Sequence, residues 1–301
     1  MAVFPLDGLI IEVEKIGDVG RDLFEQALFS RLSGEEEVVE KIKNGADLRT
    51  IFTQVDDMSH KAFQRFFATL PGLQVVAEEG VYKVPGRDFK DYTAVVDDWD
   101  GSMNGQKGCS LSAISVAVDF HGRPLAGIWY EPYRQITLVT IVVEGEKFII
   151  PNPVIFKKCN CDSDAILFSS PPVGATKLSK ARIVIGRGTY IHSTEELVTG
   201  PLSRLRSSEN LNYGSTVYAL MSVAMGMVDG FVIAGNKVWD LWGARIFFNA
   251  LRIPYVFMEP WTYRILKDHE ITPDPEKEYA FACANNEELF AQVMAKIIPI
   301  Y

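Results

Sequence analysis

"AVVDDWDGSMNG", residues 94–105, decides how the rest of the chain is read. An apolar run, Ala94-Val95-Val96, ends in three carboxylates within four positions, Asp97, Asp98 and Asp100, and then in Gly101. Like charges this close repel one another, so a buried group of them calls for a cation. Two readings are open from the stretch alone. In one it is an acidic turn, with Asp capping the next segment and Gly supplying a positive φ. In the other the acids sit at the exit of a strand, where an α/β scaffold collects a site.

Two further stretches favour the second reading. "VVAEEG" (75–80) puts Glu78 and Glu79 at the end of another β-rich run, and "NKVWDLWGA" (236–244) puts Asp240 at the mouth of an apolar helix. Hard oxygen donors favour Mg²⁺, with Mn²⁺ as a substitute. The four histidines, His60, His121, His192 and His269, fall outside these motifs, which argues against zinc. If a strand turns sharply into a helix after Asp97, then Asp97 and Asp100 converge on adjacent ions and the Trp99 carbonyl lies between them. Gly101 then admits a phosphate, and the Gly101 and Ser102 N–H groups point at it. The Ser102 hydroxyl can ligate metal or hold a water.

The 301 residues carry a formal net charge of -9, which argues against a nonspecific nucleic-acid binder. A small phosphorylated substrate remains compatible, because bound metal reverses the local sign. Cysteine is sparse, no secretory apolar region opens the chain, and no run is long enough to span a bilayer, so a reducing, cytoplasmic setting is expected. Cys159-Asn160-Cys161 is too tightly spaced for an ordinary zinc half-site and is expected to be inert.

Helical spacing covers residues 8–32 and 55–69. Short β-rich runs follow, from "LQVVAEE" to "EKFIIP", which suggests an antiparallel or mixed sheet. Residues 151–181 are irregular and mark a boundary between an α+β metal-binding half, 1–158, and an α/β half, 159–301. The second half alternates strand and helix, so the whole reads as sheets sandwiched between helices.

The set Glu78-Glu79, "DxxDGS" (Asp97 to Ser102) and Trp239-Asp240 resembles the inositol monophosphatase superfamily, which includes the fructose-1,6-bisphosphatases. The similarity runs over nearly the whole chain, through "TQVD" (53–56), "KGCSLSAISVAV" (107–118), "GIWYEP" (127–132), "YGSTVYALMSVAMGMVDGFV" (213–232) and "FACANNEEL" (281–289). It implies a layered αβαβα sandwich and a Mg²⁺-dependent phosphomonoesterase with two or three ions, commonly a homodimer. Carried onto this chain, it implies that Glu79, Asp97 and the Trp99 carbonyl hold a first metal, with Ser102 close by. Asp97, Asp100 and Asp240 hold a second, a weaker third sits near Glu79, and Glu78 supports the site. Ser102 and Glu79 orient a metal-activated water, with Asp56 and Thr53 behind them, and the Gly101 and Ser102 amides hold the phosphate.

Five positions bear on the resemblance. Asp98 stands where many members have proline and is expected to be a solvated turn residue. The place of a sugar-contacting glutamate falls at about Ile233, which cannot accept such bonds and so argues against myo-inositol phosphate. Gly214 and Ser215 open a helix whose backbone either meets the substrate or is simply N-capped. Lys237 either contacts a phosphate or substrate hydroxyl or is a surface lysine. The alternative function is a catalytically weak, metal-binding member with a regulatory or interaction role.

Overall fold

Two helices come first, and their apolar stripes face the same sheet. In α1 (Leu6–Ser33) the stripe is Leu9, Val13, Ile16 and Phe24; in α2 (Leu48–Phe67) it is Val55, Ala62, Phe63 and Phe67. Gly20 continues the stripe of α1 at helical spacing, and the Trp99 ring lies against it: a Cβ there would stand 2.5 Å from the indole. The structure is a computed structural model that describes residues 3–33, 48–102, 104, 109–144, 149–151, 154–158, 166–168, 170, 172–186, 201–205, 207–260 and 262–298. Both helices begin earlier than expected, α2 by seven residues, because the apolar spacing of Leu48, Ile51, Phe52 and Val55 already runs at i, i+3, i+4 and i+7.

The first sheet has nine strands among the described residues: β1 (Gln74–Ala77), β2 (Gly80–Lys83), β3 (Tyr92–Asp100), β4 (Ala113–Phe120), β5 (Arg123–Glu131), β6 (Ile136–Glu144), β7 (Ile149–Pro151), β8 (Val154–Lys158) and β9 (Ile166–Phe168). The order is β2-β1-β3-β4-β5-β6-β8-β9, with β7 on β6. The sheet is mixed, because β1 runs parallel to β3 while the other pairs are antiparallel. The second sheet has five: β10 (Arg182–Gly186), β11 (Glu209–Leu211), β12 (Gly230–Lys237), β13 (Tyr255–Met258) and β14 (Glu278–Ala284), ordered β11-β10-β12-β14-β13. The expected boundary at 158/159 falls inside the first sheet, since β9 still pairs with β8; the chain changes sheet between Phe168 and Arg182.

Three apolar cores separate five layers. The α1/α2 core takes Ala94 and Val96 from β3, and the next core takes Val95 from the other face. That middle core is filled by α3 (Thr216–Ala224) and α4 (Val238–Leu251), which also cover Phe231, Ile233 and Phe281 of the second sheet. The third core joins the far face of that sheet, at Val232, Ala280 and Ala282, to Leu289, Val293 and Ile297 of α5 (Glu287–Ile297). The result is the αβαβα sandwich, produced by strands whose two faces are both apolar and both covered. No helix among the described residues is long and apolar enough to cross a membrane.

Trp99 is 3% exposed and fills the space left by Gly20, so Trp99→Ala is expected to cost about 3–5 kcal/mol. The urea midpoint measures this; a midpoint unchanged from the parent would mean that the indole does not fix α1 to the sheet.

Candidate functional site

The site begins at an irregularity in β3. Asp97 pairs with Ser115 and Asp100 with Ala113, so three steps on β3 oppose two on β4. One residue is therefore extra, which makes a β-bulge. In a regular strand, residues three apart point to opposite faces. The bulge cancels that parity. Asp97 shares the face of Val95, towards α3 and α4, and Asp100 returns to it; Asp98 and Trp99 face α1 and α2.

On the first face, Asp97, Asp100 and Asp240 each offer an oxygen within 4.8 Å of the others. Asp240 sits in the first turn of α4, and Asp100 lies against the N-terminus of α3. Asp100 Oδ2 accepts from the Ser215 hydroxyl at 2.8 Å and from Val217 N–H at 2.5 Å. Both helix ends favour negative charge. It does not suffice. Burial, then the charges of Asp100, Asp240 and Glu78, hold the Asp97 carboxyl well above its usual range. Burial and Asp100 do the same to Asp240. Asp100 is pushed up to about 6 by burial, even against the opposing hydrogen bonds from Val217 and Ser215. Asp97 is 1% exposed, and its Oδ1 has no hydrogen-bond partner. An all-oxygen set with an orphaned buried oxygen fits a hard divalent cation.

The hairpin β1–β2 adds the two glutamates. Ala77 pairs with Gly80, so Glu78 and Glu79 are its two loop residues. Ala77 is also in parallel register with Val96. Glu78 bears on Asp97, Asp100 and Asp240 and, like Glu79, is itself raised by burial and by Asp98; Glu79 also groups with His60. Both glutamates therefore lie in the loop at the edge of the acidic group.

Asp98 is not a solvated turn residue. It is 3% exposed, because the bulge turns it inward under α2. There His60 Nδ1 lies 3.2 Å from Glu79 Oε2 and 3.5 Å from Asp98 Oδ2. Contact with Asp98, opposed by burial and aided by Glu79, raises the imidazole pKa. The sequence reading left His60 outside the motifs. Its signal was there: it follows Asp56 by four residues, one helical turn on the same face of α2. Asp56 is pushed up to about 7 by burial and by Asp98, Glu78 and Glu79, and its Oδ1 is buried without a partner.

The remaining expected residues are placed as follows. Gly101 has φ +98, and a Cβ there would meet Leu111 O at 2.7 Å, so crowding alone demands glycine. Ser102 begins a helical turn and is partly exposed. Gly214 N–H already donates to Asn212 Oδ1 at 2.9 Å, and Ser215 Oγ accepts from Tyr218 N–H at 3.1 Å, so both are engaged within the chain. Lys237 is neither free nor at the acids: its ammonium meets Glu278 Oε1 at 3.5 Å and Pro275 O at 3.3 Å. Ile233 is 1% exposed in the core of the second sheet. The side chain of Thr53, and Cys159 and Cys161, lie outside the described residues.

A family model described as the inositol monophosphatase family matches residues 16–250. The chain belongs to the inositol monophosphatase family. Inositol monophosphatase 1 of Saccharomyces cerevisiae is 24% identical over 201 residues, 66% of this chain and 67% of that protein. The Nus factor SuhB of Pasteurella multocida is 25% identical over 190 residues, 63% of this chain and 65% of that protein. Among solved folds, inositol monophosphatase II of Staphylococcus aureus superposes with a TM-score of 0.60 at 19% identity, covering 92% of this chain and 91% of that one. For this member of the inositol monophosphatase family, the shared fold extends well beyond the shared sequence.

The raised carboxyls set the pH behaviour of the metal-free protein. Asp56 and Asp100, at about 7 and about 6 folded against 3.8 unfolded, keep their protons longer in the folded state. The folded state therefore binds more protons between pH 4 and pH 7, and its stability falls as pH rises through that window. In chelator, Tm is expected to be higher at pH 5 than at pH 8. Saturating Mg²⁺ should raise Tm at pH 8 and narrow the difference. A chelated protein most stable at pH 8 would contradict the packing of these acids.

Proposed function

We propose that the chain is a Mg²⁺-dependent phosphomonoesterase acting on a small phosphorylated metabolite. The observation that carries this reading is the convergence of Asp97, Asp100 and Asp240 on one face of the bulge, with Asp97 Oδ1 buried and unpartnered. Those three side chains, with the glutamates of the β1–β2 loop, would hold the divalent ions. When bound, the ions supply Lewis acidity: they lower the pKa of water and neutralise charge on phosphate oxygens. The chain itself orients the site. Ser215 and Val217 fix Asp100, the first turn of α4 fixes Asp240, and the helical turn after Gly101 brings the Ser102 hydroxyl and amide to the same end of β3. Asp56, whose Oδ1 is buried and unpartnered beside the glutamates, is the carboxyl assigned to carry a proton. Membership of the inositol monophosphatase family supports the reaction class. With Ile233 in the core offering no acceptor to a polyol ring, a sugar or nucleoside phosphate is favoured over myo-inositol phosphate. The reading includes a cytoplasmic homodimer.

A second reading, a metal-binding member with a regulatory role, draws on one relative's name as a Nus factor and on the buried Asp98. Phosphate release from a panel of inositol, sugar and nucleoside phosphates, with and without Mg²⁺, separates the two. The first reading expects turnover that is lost by roughly a hundredfold or more in Asp97→Asn. Absence of turnover across the panel despite Mg²⁺ binding favours the second. Glu79→Gln is expected to weaken Mg²⁺ binding, read by calorimetry, by about tenfold or more, and Glu78→Gln by less. The reverse order would overturn the ligand set expected from the resemblance.

A further inference from the structure

A further bulge lies in β12, just before the helix that carries Asp240. Ile233 pairs with Phe281 and Asn236 with Tyr279, so three steps on β12 oppose two on β14. Val232 and Ala234 face the third core, and regular alternation would send Asn236 after them. The bulge returns Asn236 to the side of Ile233, where its cross-strand partner Tyr279 also lies, towards α3 and α4. We infer that Asn236 is a positioning residue: it locks the N-terminus of α3 to that of α4 and so sets the spacing of Asp100 and Asp240. As a statement about ion binding it rests on the metal-centre reading; as a statement about the two helices it stands alone.

The bonds run from one acid towards the other. Asn236 Nδ2 donates to Thr216 Oγ1 at 2.7 Å. Thr216 is the first residue of α3 and stands between Ser215 and Val217, which both donate to Asp100 Oδ2. The backbone N–H of Thr216 also bonds the Asp100 carboxylate. On its other side, Asn236 Oδ1 accepts from Lys237 N–H at 3.0 Å. Lys237 is the N-cap of α4, its side chain makes no capping bond, and Asp240 follows three residues on. Asn236 thus fixes the backbone at the entry to α4 while it holds the first residue of α3.

The neighbours of the amide fix its orientation. Lys237 N–H can only donate, so the Asn236 oxygen faces it and the amide nitrogen is left for Thr216. Burial gives the link weight: Asn236 is 5% exposed, and a buried amide that loses a partner is costly. Charge gives it a task. Asp100 and Asp240 repel one another when both are ionised, and the bond between Asn236 and Thr216 opposes the separation of the helix ends that hold them. Held at a fixed spacing, the two carboxylates need no rearrangement to meet a common ion.

The test uses the whole chain. Mn²⁺ binding is read by electron paramagnetic resonance, and amide hydrogen exchange is followed in chelator. Asn236→Ala and Thr216→Val are each expected to weaken Mn²⁺ by about tenfold, the double variant to bind no more weakly than the poorer single one, and Thr216→Ser to stay within about twofold of the parent. In chelator, Thr216→Val should speed exchange of Lys237 N–H, whose bond it does not touch, by about fivefold or more, and Asn236→Ala should do the same for Val217 N–H. A lowered Tm with parent-like Mn²⁺ affinity, additive losses in the double variant, or faster exchange at one helix end alone would each overturn the inference. A parent protein that binds no Mn²⁺ defeats the metal-centre reading instead, and amide exchange then decides whether Asn236 joins the two helices. Should Asn236→Ala fail to fold, Thr216→Val and Thr216→Ser decide by the same two measurements.

Discussion

The structure around the site depends on one extra residue in one strand. Without the bulge between Asp97 and Asp100, these carboxylates would point to opposite faces of the first sheet, one into each core. With it, both face α3 and α4, where Asp240 joins them. The same insertion sends Asp98 and Trp99 together towards α1 and α2. A single backbone irregularity thus sorts four consecutive side chains into two pairs.

What holds the bulge in place is packing, and what loads it is charge. Trp99 is locked against Gly20, and Gly101 is pressed against Leu111 O, so the chain has little freedom on either side of Asp100. The ends of α3 and α4 supply the partial positive charge that makes three neighbouring carboxylates tolerable. The tolerance is incomplete: burial and mutual repulsion still raise the Asp97, Asp100 and Asp240 carboxyls. Rigid elements therefore hold the acids in an arrangement whose crowded charge is relieved by protons or by a cation.

Much of this was legible in the sequence, and the reasons are local. Alternation and helical periodicity mark the strands and helices, and apolar residues on both faces of β3 announce a covered sheet. The acids at 97, 100 and 240 stand out because charge at the end of an apolar run is costly. The assignments that did not carry over rested on direction. Asp98 read as a solvated turn because a string of letters does not show a bulge. The sheet boundary needed the pairing of β9.

The sequence by itself determined the layered class, the family resemblance and the presence of an acidic centre, because these follow from periodicity, motifs and residue spacing. Only the tertiary structure decided which face each acid takes, that Ser215 and Lys237 are already engaged, and that His60 meets Glu79 and Asp98. Those outcomes turn on strand register and on contacts between elements distant in the chain, and a side chain's direction in a sheet reverses with a shift of one residue.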